Sequence, residues 1–214
     1  MRLFSSQFPM PAATGIYVEI FMDQQPVQQP QPPQQLHMLW PERLMPAPPE
    51  PSLPPDYELR VFRPEDAGAY LTLMHGAGFT QFDAEALKKW LDRVLPDGFY
   101  LATHRPTGEL AATALAAHNP SPLHPFGGEL GWVAGSPAHA GRGLGRAVCA
   151  AVVRRFVSAG YRRIYLKTDD LRLPALKVYL GLGFVPFLFA DDMPGRWQAI
   201  CEKLDWPFTP EQWA

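Results

Sequence analysis

The hydrophobic and polar positions of this chain lay out an alternating α/β order over its last three quarters. Residues 57–62 alternate as a strand. Pro64, Glu65 and Asp66 open a helix that runs through His75, with proline and acids in its first turn. A second helix runs from Asp83, as N-cap, to about Val94; Leu87, Trp90, Leu91 and Val94 share its apolar face. Residues 99–103 and 110–117 are strand-like runs joined by a turn at Pro106-Thr107-Gly108. A proline-bearing loop, 119–128, leads to a strand over 129–134. A helix over 144–159 follows, with Ala147, Val148, Ala151 and Val152 apolar and Gly160 as its C-terminal stop. A strand over 163–168, a short helix ending at Gly183, and a strand over 185–189 complete the order. Met193, Trp197, Ile200, Cys201 and Leu204 then recur at helical spacing.

Residues 1–55 read differently. They hold 13 of the 25 prolines, and residues 24–35 (QQPVQQPQPPQQ) form a low-complexity, polyproline-like link. Two short stretches rich in strand formers flank the link, 16–21 and 36–40. The organisation is therefore a Pro/Gln-rich N-terminal arm, 1–55, carrying one or two short strands, and a domain, 56–214.

Composition narrows the function classes. A hydrophobic fraction of 47% supports a core, and a net charge of −2 carries no footprint for nucleic acid or for a basic membrane patch. No apolar run approaches the roughly 18 residues of a spanning helix. Ser5, Ser6, Gln7 and Pro9 break the apolar start that a signal peptide needs. Cys149 and Cys201 have no metal-ligand spacing, the six His residues are scattered, and no metal is expected. Cys149 lies in the apolar stripe of its helix, as a small core residue rather than a nucleophile. The expected compartment is the reducing cytoplasm.

The most informative stretch is 127–147, GGELGWVAGSPAHAGRGLGRA. A strand ends in Gly135-Ser136-Pro137, a loop Gly141-Arg142-Gly143-Leu144-Gly145 follows, and a helix opens. Glycines admit close approach, the first-turn N–H groups lack intrahelical partners, and the dipole favours an anion there. The G-x-G-x-G spacing fits neither the dinucleotide G-x-G-x-x-G nor the P-loop. It resembles the acyl-CoA pyrophosphate loop of the GNAT N-acetyltransferases, [RQ]-x-x-G-x-[GA], with Gly143 and Gly145 on its glycines. Ala140 stands where that family usually has Arg or Gln; Arg142 and Arg146 offer charge instead. The segment PALKVYLGLGF, 174–184, is similar to the family's A-x-x-x-Y-x-x-x-G-F through Ala175, Tyr179, Gly183 and Phe184. The resemblance covers about 57–189, and TDD-x-R-L-P-A (168–175) looks closest to the mycothiol-synthase-like branch.

This resemblance implies a GNAT-like α/β fold, a mixed, strongly curved β-sheet flanked by helices on both faces. It implies acetyl-CoA as co-substrate and an N-acyltransferase, most simply acetyl transfer to an amine in a ternary complex. A bulge in the motif strand, at Val133, Ala134 and Gly135, would free backbone for the pantetheine arm; glycine also marks a plain strand end. Gly141, Arg142, Gly143, Leu144, Gly145 and Arg146 would hold the pyrophosphate. Arg172 stands where the family often has an Asn touching the coenzyme. Tyr179 matches the general acid, and Glu129 the base acting through water. Asp169 and Asp170 either bind a cationic acceptor or cap their loop. His118 and His124 flank the loop before Glu129 as relay candidates, and Phe79, Phe82 and Phe126 fit an apolar pocket or an ordinary core. The C-terminus departs from the family pattern, because a helix replaces the hairpin partner expected after 185–189. Residues 36–40 are expected to fill that vacant strand position, since an open edge is a liability. The partner is a small-molecule or peptide amine, and a homodimer stays open. Two rivals remain: a non-catalytic acyl-CoA-binding sensor or scaffold of this fold, and a nucleotide-binding enzyme using the same loop.

Overall fold

The computed structural model describes residues 34–213, so the strand candidate over 16–21 lies outside the described residues. The elements run β1 (Leu36–Leu39), β2 (Tyr57–Val61), α1 (Ala67–Gly76), α2 (Ala84–Leu91), β3 (Val94–His104), β4 (Leu110–His118), β5 (Gly128–Gly135), α3 (Leu144–Ser158), β6 (Ile164–Thr168), α4 (Leu173–Leu182), β7 (Val185–Phe187) and α5 (Met193–Leu204). Asp83 caps α2 by accepting from the Ala86 N–H at 2.8 Å. Val94, read from sequence as the helix end, instead opens β3 opposite Ala117. A β-branched residue gains more from cross-strand pairing than from a last helical turn.

The strands form one open sheet in the order β2-β3-β4-β5-β6-β1-β7. Neighbours are antiparallel except β5 and β6, which are parallel and joined by a crossover through α3. Alternation along β3 and β4 divides the core between two faces. Ala102, Ala114 and Ala116 belong with Val148, Val152 and Phe156 of α3. Phe99, Leu101, Leu115 and Ala117 belong with Tyr70, Met74 and Leu87 of α1 and α2. Small residues on the first face let α3 approach closely. At Gly128 an added Cβ would stand 2.4 Å from the Phe156 ring, so only glycine fits beneath it.

β1 comes from the proline-rich arm and lies between β6 and β7. Leu36 and Met38 face Thr168 and Leu166 on one side, and Met38 faces Pro186 on the other. Both side chains are 0% exposed. The expectation that 36–40 fills the vacant strand place is met, and the compact unit begins at Gln34. The boundary read at residue 56 falls inside that unit. α5 has the periodicity read from sequence, with Met193, Trp197, Ile200 and Cys201 buried.

His37, on the opposite face of β1, pairs its Nδ1 with Nε2 of the buried His124 at 2.8 Å. The Arg163 Nε–H donates to His124 Nδ1 at 3.3 Å. That nitrogen is therefore an acceptor, and Nε2–H of His124 donates to His37. Burial, then Lys167, pushes His37 down to about 4. Burial, then His37, Arg163 and Lys167, pushes His124 down to about 3.

Two outcomes follow. Met38→Ala, in a segment that looks like a tail, should cost about 2–5 kcal/mol in urea unfolding, as buried core truncations do. A cost under about 1 kcal/mol would show that β1 does not hold the sheet. The unfolded chain protonates His37 and His124 near 6.5 while the folded one resists. Stability is therefore complete above about pH 6.5 and falls as pH drops toward about 4. Unfolding midpoints across that window should decline in the native chain and decline less in His37→Phe/His124→Phe; equal slopes would remove the pair as the cause.

Candidate active site

β5 leads into the glycine loop through a 3-10 turn, Pro137–His139. Gly141 and Gly143 have φ of +74° and +75°, left-handed values that suit glycine. Gly143 is the N-cap of α3 and offers no side chain to the helix. The first helical bond is Ala147 N–H to the Gly143 carbonyl at 3.1 Å, so the preceding N–H groups have no intrahelical partner. Nothing lies within 4 Å of where a Cβ would stand at Gly141, Gly143 or Gly145. The space over the loop is open, as the close approach of an anion requires. Leu144 is buried and anchors the turn. Arg142 is exposed, 5.9 Å over the Tyr57 ring. Arg146 is exposed too and donates to the Gly181 carbonyl at 2.7 Å, fastening α3 to the end of α4.

The motif strand is bulged, starting one residue before the stretch Val133, Ala134 and Gly135 read from sequence and overlapping it at Val133. Thr113 pairs with Ala134 and Leu115 with Gly131, so Trp132 and Val133 together oppose Ala114. Trp132 has φ +50°. Gly135 pairs regularly with Ala112; it ends the strand, and the bulge belongs to Trp132 and Val133. On the other side, the β5–β6 ladder stops at Leu130 opposite Leu166. Beyond it the two parallel strands part, and a cleft opens between them.

Two cavities occupy that parting. One, about 500 Å³, runs from Val133, Ala134 and Gly135 past Gly145 to Val178. The other, about 250 Å³, is walled by Trp90, Glu129, Trp132 and Lys167. Phe79, Val133, Arg172, Ala175 and Tyr179 line both, so Tyr179 stands where the cavities meet. Tyr179 is 5% exposed, and burial raises its phenol far above the ordinary 10. Burial also raises the Cys149 thiol, which rules out a ready thiolate nucleophile there.

Glu129 is buried, and three donors converge on its Oε2: Asn119 Nδ2 at 2.5 Å, the Tyr165 hydroxyl at 3.0 Å and Lys167 Nζ at 3.3 Å. Burial, then the Glu129 charge, raises the Tyr165 phenol. Arg172 stacks 4.2 Å over Phe79 and binds Asp169 at 3.0 Å. Asp169 also accepts from Gln35, just before β1, and Asp170 is taken by Arg196 of α5. Both aspartates thus serve as ties between elements. His118 pairs with Tyr161, and His124 stacks on Tyr165 with centroids 3.8 Å apart. Trp132 is enclosed by Phe82, Phe79 and Trp90, with centroids at 4.3, 5.5 and 5.6 Å. Phe126 is 84% exposed and stands outside this group. Sequence reasoning passed over Trp90, Trp132, Lys167 and Asn119. Only the alternation of the strand 163–168, which puts Lys167 on one face with Tyr165, hinted at Lys167.

Comparison with known proteins agrees with this geometry. The model of the acetyltransferase (GNAT) family matches residues 67–184. A mycothiol acetyltransferase of Paenarthrobacter aurescens is 33% identical over 161 residues, 69% of this chain and 49% of that protein. The chain thus spans about half the length of the curated relatives it matches. A solved Drosophila protein superposes with a TM-score of 0.59 at 20% identity, over 73% of this chain and 48% of that one. A tandem GNAT protein from the clavulanic acid biosynthesis pathway gives 0.55 at 17% identity, over 72% and 50%. The glycine loop, the split strands and the matched model together establish that the chain belongs to the GNAT acetyltransferase family.

Proposed function

We propose that this chain transfers an acetyl group from acetyl-CoA to a primary amine, in a ternary complex. The observation that carries this reading is the meeting of two cavities at Tyr179, one reaching the glycine loop and the other reaching Glu129. The helix α3 N-terminus, with Gly141, Arg142, Gly143, Leu144, Gly145 and Arg146 around it, receives the pyrophosphate. The unpaired edge of β5 at Val133, Ala134 and Gly135 pairs with the pantetheine amides, and Arg172 closes over the arm. A backbone N–H of that edge polarises the thioester carbonyl.

Glu129 draws the acceptor's ammonium toward the cleft and takes its proton away through water. The free amine then attacks the carbonyl carbon, the C–N bond forms and the C–S bond breaks. Tyr179 donates to the departing sulfur and is reprotonated, through water, by the proton that the new amide nitrogen sheds. Its burial keeps the phenol protonated, and a thiolate leaving in the same dry site is likewise made more basic, so it has a strong pull on that proton. The names of the curated relatives make the amine precursor of mycothiol the first acceptor to assay. The buried thiols Cys149 and Cys201 suit a protein that works in the reducing cytoplasm.

Two measurements test the reading. Gly145→Ala adds a methyl where the protein has room, in a helix that prefers alanine by about 1 kcal/mol. Its melting temperature should hold or rise while acetyl-CoA affinity, by calorimetry, falls about tenfold or more. Undiminished binding would make the loop a plain turn. With acetyl-CoA and an amine panel, coenzyme thiol release should be amine-dependent. Tyr179→Phe should then lower kcat about 10²–10⁴-fold with little change in acetyl-CoA affinity. Equal turnover in that variant would remove Tyr179 from the reaction, and binding without turnover on any amine would favour a sensor.

A further inference from the structure

Away from the cleft, the fold gathers three metal-ligating side chains that no spacing in the sequence announces. His104 is the last residue of β3, Glu109 immediately precedes β4, and His139 closes the 3-10 turn between β5 and the glycine loop. The β3–β4 turn is tight: Gly108 N–H bonds the His104 carbonyl at 2.8 Å, and His104 N–H bonds the Glu109 carbonyl at 2.9 Å. It sets His104 and Glu109 side by side, and the end of β5 brings His139 against them.

One potential ligand atom from each residue lies within 4.8 Å of the other two. His139 Nε2 is 3.4 Å from Glu109 Oε2, and the two imidazole centroids are 5.0 Å apart. A four-coordinate ion with bonds of about 2.0–2.1 Å sets its ligands about 3.3 Å apart. Glu109 is 66% exposed and free to swing the remaining distance.

The hydrogen bonds fix which nitrogens face the centre. Thr107 Oγ1 gives its one proton to Glu109 Oε2 at 3.0 Å. At 2.9 Å from His104 Nδ1 it therefore accepts, so that nitrogen carries the proton and His104 Nε2 holds a free lone pair. His139, 9% exposed, has its Nδ1 fastened by the Tyr57 hydroxyl at 2.8 Å, which leaves Nε2 toward Glu109. An imidazole held at one nitrogen by an outer partner and open at the other is the usual arrangement of a ligating histidine. The neighbouring cations are Arg142, on the ring of Tyr57, and Arg105, which donates to the Tyr57 carbonyl and pairs with Glu58. An open cleft of about 510 Å³ touches Glu109 and His139 and gives an ion access.

We propose that His104, Glu109 and His139 bind a divalent transition-metal ion of the zinc class, through two Nε2 atoms and one carboxylate, with a fourth position open to water. Two nitrogens and one oxygen in this arrangement suit zinc. The ion would tie the β3–β4 turn to the segment that leads, two residues after His139, into Gly141.

The test uses untagged full-length protein. Cobalt(II) should bind at one equivalent, give visible d–d absorption of a low-coordinate site, and be displaced by zinc in calorimetry. His104→Ala and Glu109→Gln should each lose stoichiometric binding. Thr107→Val, which frees the His104 ring, should weaken it about 10–100-fold. Glu109→Gln keeps an acceptor for Thr107 and lies on the surface, so its metal-free melting temperature should match the native one. His124→Phe, at the other histidine pair, should bind as the native chain does. Absent binding in the native protein, or binding unchanged in His104→Ala/Glu109→Gln, would overturn the site.

Discussion

The parting of β5 from β6 is the constraint on which the cleft depends. Parallel strands keep pairing unless something costs more than the hydrogen bonds gained, and here that something is Trp132. Its left-handed backbone costs about 1–3 kcal/mol, a strain that persists only where the surroundings fix it. The indole is held by Phe79, Phe82 and Trp90, which come from the α1–α2 connection and from α2. Aromatic pairs of this kind contribute about 0.5–1.5 kcal/mol each beyond burial, enough in sum to offset the strain. Phe79, Trp90 and Trp132 also wall the smaller cavity, so the packing that bends the strand also shapes the site.

A split sheet needs its far half secured. β6 pairs with β5 only over Gly128–Leu130, so its other edge must carry the rest. β1 supplies that edge with four paired residues, and it bonds β7 on its outer side. The strand comes from the opposite end of the sequence, a non-local pairing that replaces a local hairpin. Gln35, next to β1, reaches Asp169, and Lys167 on the neighbouring strand reaches Glu129. The arm thus helps to build one wall of the cleft as well as the core.

What the sequence disclosed followed from signals that are local. The glycines at 141 and 143 need left-handed backbone angles, and Tyr179 stands at a fixed distance from Gly183-Phe184, so both could be read along the chain. The period of Met193, Trp197 and Ile200 gave α5 for the same reason. The bulge was read over Val133, Ala134 and Gly135, with glycine as its marker, whereas tertiary packing sets it at Trp132 and Val133. Lys167 and Asn119 escaped because their meeting with Glu129 depends on the register of three separate segments. The His104–Glu109–His139 group escaped likewise, since residues 5 and 30 apart meet only when β3 and β5 lie in one sheet.

The charges around the cleft show how such a site stays stable before its substrates arrive. A carboxylate as buried as Glu129 would be costly if alone. Lys167, Asn119 and Tyr165 provide compensation on one oxygen, and Tyr165 is in turn stacked on the neutral His124. Asp169 and Arg172 compensate each other at the next turn, with the guanidinium spread over Phe79. An ammonium entering the smaller cavity therefore meets a carboxylate already held in place, and it competes with Lys167 for that carboxylate rather than ordering it. On the glycine side the arrangement is the reverse. The loop presents N–H groups without intrahelical partners and the exposed Arg142 to solvent, where leaving them without an ion pair costs little. The cleft is thus electrostatically balanced where it is dry and unbalanced where it is wet. That division suits one face to an amine that must lose its charge, and the other to a phosphate that must keep it.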